Sequence, residues 1–261
     1  MIAWAYVMIL GRAPESAAVV AQHAALPSVA ALAQALFASA EFQQNGGPWL
    51  RVMLEGQPHR FTGHPEDSYH QHLPTAAAET EQIAHIATAV ARARGRPMQI
   101  VDIGANLGLT AALLAPRASR LLAIEPNPAT ADHLAFNLRL NGLTNVTIAR
   151  TALGENEGDI AFQADAFSAG SHIANDSFNK PSITVPLTTL DRLAAAHGFD
   201  DIGFIKLDVE GYERQVLQGA AATIARCRPV IFAEFNTWAL IAMGDTQPMR
   251  FLHDLLQSFP Q

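Results

Sequence analysis

From about residue 99 onwards, short segments such as LLAI and VIFA run apolar without a polar break. Such runs suit strands buried on both faces of a parallel sheet, and the segments between them suit covering helices. The pattern predicts strands at 99–103, 120–125, 145–150, 203–207 and 229–235, with helices starting at Leu109, Pro128 and Tyr212. That alternation predicts an α/β fold with helices on both faces of a parallel sheet. One helix is fully punctuated. Asn127 can cap it, Pro128 suits its first position, Leu134 and Leu138 share its inner face, and Asn141–Gly142 end it.

Upstream, residues 1–45 are alanine-rich with helical periodicity. Ser28 can cap a helix whose Val29, Leu32, Leu36 and Phe37 fall on one face, and NGGPW breaks the pattern. WLRVML and HRFTG flank the turn EGQP and predict a hairpin. Thr75 can cap a helix running to Arg94, with Ile83, Ile86 and Val90 facing inward and RGRP ending it. These breaks divide the chain into a helical segment at 1–45, a hairpin and helix at 46–98, and the α/β region at 99–261. Between the third and fourth predicted strands, GDIAFQ and SITVPL form a second hairpin pattern around ADAFSAGSHIANDSFNKP. A long stretch of small, polar composition suits a lid, with disorder as the competing reading.

Net charge is −7 with no long basic run, which excludes nucleic acid and anionic membranes as main partners. The apolar start MIAWAYVMIL is too short to span a bilayer and lacks a basic n-region, and no later stretch is long enough. Cys227 is the single cysteine, so no internal disulfide forms, which fits a reducing cytoplasm. His59, His64, His70 and His72 cluster in sequence. Without a recognised metal scaffold they are expected as solvated loop histidines. Oligomeric state is left open.

Chemistry concentrates at IVDIGANLGLT, a strand, a glycine turn and a helix start. Such a junction brings backbone amides to a nucleotide. A dinucleotide site needs G-x-G-x-x-G, whereas Gly104 and Gly108 are separated by Ala105, Asn106 and Leu107. Asp102 would repel a pyrophosphate and would favour a sulfonium or ammonium group. The sign of its charge points to S-adenosylmethionine over NAD, unless Asp102 only bonds the turn amides. Glu125, closing the second strand, is expected to accept hydrogen bonds from ribose hydroxyls, which suits either nucleoside.

IVDIGANLGLT, IEPNPATADHLAFNLRLNG, ALGENEG, LTTLDRL, IGFIKLDVEGYERQVLQGA and PVIFAEF occur in this order. Together they closely resemble the FkbM-type family of S-adenosylmethionine-dependent methyltransferases. The resemblance implies a class I, Rossmann-like methyltransferase fold and O-methylation of a hydroxyl on a sugar, polysaccharide or natural product. By position it implies donor binding at Asp102, Gly104, Asn106, Gly108 and Glu125, and an acidic signature at Asp208 and Glu210. The last two strands usual in that fold are not found before LHDLLQSFPQ, so a C-terminally incomplete domain is expected. VMILGRAPES and LFASAEFQ at the start resemble a small bacterial helical module of unknown function.

Asp208 and Glu210 follow the fourth strand, where parallel sheets bind ligands. They are candidates for taking the acceptor's proton, or, with Glu234, for holding Mg²⁺. DVEG could instead be only a helix-capping turn, in which case His172 in the insertion is the next candidate base. Lys206 could pair with one of the acids. The acceptor is expected to be a small molecule or glycan. Two other functions fit less of the sequence: a non-catalytic binding or assembly protein, and an NAD-dependent oxidoreductase.

Overall fold

The computed structural model describes residues 1–45, 49–64, 67–164, 168–174, 182–242 and 246–258. Four helices come first: α1 (Ile2–Leu10), α2 (Ala17–Ala24), α3 (Val29–Phe37) and α4 (Ala40–Asn45). The Ser16 and Ser28 hydroxyls accept from the N–H groups of Val19 and Ala31 at 3.3 and 3.1 Å, capping α2 and α3. Tyr6, Ile9, Leu32 and Leu36 form a buried cluster. Val29, expected with them, stands 45% exposed, because the first turn of α3 lies beyond that cluster.

A hairpin follows, β1 (Leu50–Leu54) and β2 (Gln57–Phe61). Its loop is only Glu55 (φ 48) and Gly56 (φ 75), shorter than the expected EGQP turn. Two left-handed residues match the twist of a tight hairpin. Pro58 therefore sits in β2, which is tolerated because every strand of a two-stranded ribbon is an edge. Helix α5 (Ser68–Arg94) begins well before Thr75. Asp67 supplies the cap, accepting from Tyr69 N–H at 3.0 Å, and Pro74 is absorbed inside the helix at the loss of one backbone bond. The inner stripe of α5 is Leu73, Ala77, Thr80, Ala84 and Ala87. Alanines permit close approach here, while Ile86, expected to face inward, is 39% exposed. The clustered histidines are not one solvated loop: His59 lies in β2, His72 on α5, and His70 is buried with its Nε2 2.9 Å from the Phe61 carbonyl.

The remaining elements are β3 (Met98–Ile103), α6 (Leu109–Leu114), β4 (Ala118–Ile124), α7 (Pro128–Leu140), β5 (Val146–Ala149), β6 (Ala152–Leu153), β7 (Gly158–Gln163), β8 (His172–Ile173), β9 (Ile183–Thr188), α8 (Leu190–His197), β10 (Ile202–Leu207), α9 (Glu213–Gln218), α10 (Ala221–Cys227), β11 (Val230–Ala233), α11 (Thr237–Ala242) and α12 (Pro248–Ser258). The central sheet has the order β11-β10-β3-β4-β5, and every pairing in it is parallel. Alternate residues of its strands serve opposite faces. Val101, Leu122 and Ile205 pack with α8 and α9, whereas Ile100, Leu121 and Phe204 pack with α5, α6 and α7. This is the expected mixed α/β architecture, a parallel central sheet with helices on both faces, preceded by a helical segment. Trp4 meets Phe136 of α7 edge-on at 6.4 Å and joins that segment to the sheet.

Among the described residues no strand follows β11; α11 and α12 do. The GDIAFQ–SITVPL hairpin forms as β7 and β9, in a second sheet ordered β6-β9-β7-β8. Residues 165–167 and 175–181 of the predicted lid lie outside the described residues.

The β1–β2 hairpin is tied to α7 through Thr62, the residue after β2, whose N–H donates to Asn137 Oδ1 at 2.7 Å and whose Oγ1 lies 3.1 Å from His133 Nδ1. Burial first, then the nearby His70 and His64, push His133 down to about 4. A histidine depressed in the folded state contributes stability that is complete above its unfolded value of 6.5 and is lost as pH falls through about 4. The urea midpoint is therefore expected to fall between pH 7 and pH 4.5, and His133→Gln should flatten that dependence. An unchanged slope in the variant would rule out His133 as its source.

Candidate active site

The sheet order reverses at β3. The chain winds one way through β4 and β5, then crosses to the other side for β10 and β11. Loops leaving the carboxyl ends of β3 and β10 diverge, and a crevice opens between them. It holds a cavity of about 800 Å³ lined from both sides of that reversal.

Three residues of the glycine loop have left-handed backbones: Gly104 (φ 77), Asn106 (φ 47) and Gly108 (φ 91). A Cβ on Gly104 would lie 1.9 Å from the Asp208 carbonyl oxygen, so the β3 and β10 loops touch through bare backbone. Gly104, Ala105 and Asn106 line the cavity. Gly108 does not; a Cβ there would lie 2.7 Å from Leu134 Cδ1, so this glycine serves the packing of α6 on α7.

Glu125 is 6% exposed at the end of β4. Its Oε2 accepts from Asn106 N–H at 3.0 Å and its Oε1 from Asn127 N–H at 2.9 Å. Burial pushes its carboxyl up to about 7, against the pull of those two N–H groups. Each oxygen keeps a lone pair for a ligand hydroxyl.

Asp102 lies elsewhere. It is fully buried, it is not in the cavity wall, and it faces Lys206, whose Nζ is 3.7 Å from Oδ1. That is an ion pair without a hydrogen bond. Burial pushes Asp102 up to about 6, and Lys206 opposes the shift. Lys206 also donates to the Gly104 carbonyl at 2.8 Å and pairs with Asp208 Oδ2 at 3.1 Å. Burial opposes its ammonium, but Asp208 and Asp102 outweigh burial and hold its pKa above the usual lysine value. Asp208 is correspondingly held below the usual carboxylate range: burial works against its ionisation, and Lys206 together with a hydrogen bond to Glu234 outweighs burial.

DVEG is indeed a bonded turn, but Glu213 ties it. Its Oε1 accepts from Val209 N–H at 3.3 Å and Gly211 N–H at 3.2 Å. Glu210 is left with a φ of 52 and lines the cavity. Burial, Asp208 and Glu213 push it up to about 7. Just past β11, Glu234 is hydrogen-bonded to Asp208 and is pushed up to about 8 by that bond, by burial and by the surrounding acids. Carboxylate oxygens of Asp208, Glu210 and Glu234 lie within 4.8 Å of one another, close enough to hold a divalent cation such as Mg²⁺.

His172 is 2% exposed, pairs across from Gln163 and is not in the cavity wall, unlike its neighbours Ser171 and Ile173. Sequence reasoning does not anticipate Tyr69, Glu79, Thr80 and Ser168, which do line the cavity. Burial pushes Tyr69 up to about 12. The Ser168 hydroxyl donates to Asn106 Oδ1 at 3.0 Å, and its N–H donates to Asp67 Oδ1 at 3.0 Å. One residue thereby joins the insertion, the glycine loop and the start of α5. These partners stand 62 and 101 positions away in sequence, beyond any local spacing signal.

Among known proteins, the domain described as "Methyltransferase FkbM domain" matches residues 102–256, more than half of the chain. A curated relative, "Hexuronic acid methyltransferase AglP" of Haloferax volcanii, is 32% identical over 119 residues, which cover 45% of this chain and 48% of the relative. The match thus spans about half the length of that relative. Among solved structures, wild-type Trm5b from Pyrococcus abyssi is similar with a TM-score of 0.40 at 15% identity, over 81% of this chain and 47% of that one. Cofactor-bound Rv0187 from MTB has a TM-score of 0.40 at 14% identity, over 69% and 66%. Both scores are too low to carry a functional argument.

Proposed function

Because the chain belongs to the FkbM methyltransferase family, we propose that it transfers a methyl group from S-adenosylmethionine to a hydroxyl oxygen of a sugar or related natural product. The observation that carries this reading is the joint at Gly104, where a Cβ would lie 1.9 Å from the Asp208 carbonyl oxygen. It leaves bare backbone beside the Glu125 carboxylate, a cradle suited to a nucleoside. The donor supplies an electrophilic methyl group on a sulfonium. Every other requirement falls on this chain. Gly104, Ala105, Asn106 and Glu125 hold the nucleoside portion. Asp102 acts behind them by pairing with Lys206. Glu210 and Asp208 also line the cavity and are the groups assigned to the acceptor hydroxyl, which must lose its proton. Holding both partners in near-attack geometry supplies much of the acceleration. An NAD reading is weakened further, since among the described residues of this wall a pyrophosphate would meet no unpaired cation.

Calorimetry should show binding of S-adenosylmethionine and S-adenosylhomocysteine and none of NAD. NAD binding without either sulfur ligand would overturn the proposal. Glu125→Ala should weaken the sulfur ligands by about 1.5–3 kcal/mol, the range for a hydrogen bond to a charged group. It should also lower the urea midpoint, since the Asn106 and Asn127 N–H groups lose their acceptor. Wild-type affinity in a folded variant would remove Glu125 from the donor site.

A further inference from the structure

We propose that the methyl acceptor is an uncharged or amine-bearing polyhydroxyl unit, and that the cavity rejects acidic acceptors such as uronates and phosphorylated sugars. This rests on the methyl-transfer reading above and specifies its substrate class. Among the described residues, the cavity wall carries five acids, Glu79, Glu125, Asp208, Glu210 and Glu234, and one base, Lys206. None of those lining residues is an arginine or a histidine. Lys206 is not available to a ligand. Its side chain is 7% exposed, and its three N–H donors already face the Gly104 carbonyl at 2.8 Å, Asp208 at 3.1 Å and Asp102 at 3.7 Å.

Three of the amides beside these acids are taken as well. Asn106 N–H is taken by Glu125, and the Val209 and Gly211 N–H groups are taken by Glu213. A carboxylate or phosphate entering from solvent would lose its water and find no unpaired cation among the described lining residues. Sugar hydroxyls, by contrast, donate to carboxylates, and an ammonium gains Coulomb attraction from them.

Tyr69, Glu79 and Thr80 come from α5, which precedes the matched span of 102–256. The hexuronic acid in the relative's name belongs to that protein, whose match covers 45% of this chain. On a hydroxyl acceptor the transfer balances. A C–O bond forms as the methyl group's C–S bond breaks, sulfur keeps the electron pair, and the hydroxyl proton passes to a carboxylate of the wall.

The test uses the whole chain with S-adenosylmethionine labelled in its methyl group and a cell extract of glycans and small metabolites. Labelled products are split in two. One portion is treated with mild alkali, which frees methanol from methyl esters and leaves methyl ethers intact. The other is hydrolysed to monomers and separated by charge. Label that resists alkali and migrates with neutral or basic monomers is expected. Label released as methanol, or found on acidic or phosphorylated monomers, overturns the inference while leaving methyl transfer standing. No label in any fraction, from protein that also fails to bind S-adenosylhomocysteine, overturns the underlying reading and this inference with it. Binding without any transfer to the extract overturns the acceptor class proposed here and leaves the donor site intact.

Discussion

Replacing Gly104 with alanine is expected to abolish donor binding and to destabilise the protein by about 3 kcal/mol or more. Two costs of about 1–3 kcal/mol each meet at this residue. Its φ of 77 is unfavourable for any residue with a Cβ. The new Cβ would also lie 1.9 Å from the Asp208 carbonyl oxygen, which is backbone and cannot rotate aside. The loops after β3 and β10 must separate, and with them the two halves of the cavity. Gly56→Ala provides the control, because Gly56 has nearly the same φ, 75, and a Cβ added there would have nothing within 4 Å. Urea unfolding should show a small loss for Gly56→Ala and a much larger one for Gly104→Ala. Calorimetry should detect S-adenosylhomocysteine binding only in the control. Equal losses, with binding retained in both, would mean that the contact between the loops is not what shapes the donor site.

How much of the fold is readable in the sequence depends on whether the signal is local. The five central strands are legible because their segments are short and predominantly apolar, as in LLAI of β4 and VIFA of β11. Helix α7 is legible because its start is chemical: the Asn127 side chain accepts from Ala129 N–H at 3.1 Å. Helix α8 escapes the pattern although its start is equally explicit, with Thr189 accepting from Arg192 N–H at 3.1 Å. The start of α5 is displaced in the sequence reading because Pro74 reads as a break, whereas Asp67 has already begun the helix.

In the site, Gly104, Asn106 and Glu125 can be named from one stretch of chain and one strand end. Asp102 can be named but its direction cannot, since only the pairing of β3 with β10 places it opposite Lys206. Likewise, DVEG allows two readings that the structure divides between residues. Glu213 bonds the turn, and Glu210 is released to the cavity.

Glu210→Gly is expected to slow methylation by about 10²-fold or more, the usual contribution of a positioned base, while raising stability by roughly 1 kcal/mol. The second effect follows from the backbone. At a φ of 52 a glutamate is strained and a glycine is not, so a residue kept only for the turn would favour glycine. Its presence in a strained conformation on the cavity wall points to work done by the carboxylate. Burial, Asp208 and Glu213 push Glu210 up to about 7, and a base must be ionised to accept a proton. The rate in the native protein should therefore rise with pH through about 7, and Glu210→Gln should lose that limb with donor affinity unchanged. Asp208→Asn should behave differently, because Asp208 is the partner of both Lys206 and Glu234. It should lower the rate and also shift the pH limb, since one charge that raises Glu210 is removed. A chelator separates this scheme from a metal-held one. Under proton transfer to Glu210 alone, EDTA leaves the rate unchanged. If Asp208, Glu210 and Glu234 instead hold a cation, EDTA abolishes activity and Mg²⁺ restores it. Full activity in both Glu210 variants would leave Glu210 as part of the turn and nothing more.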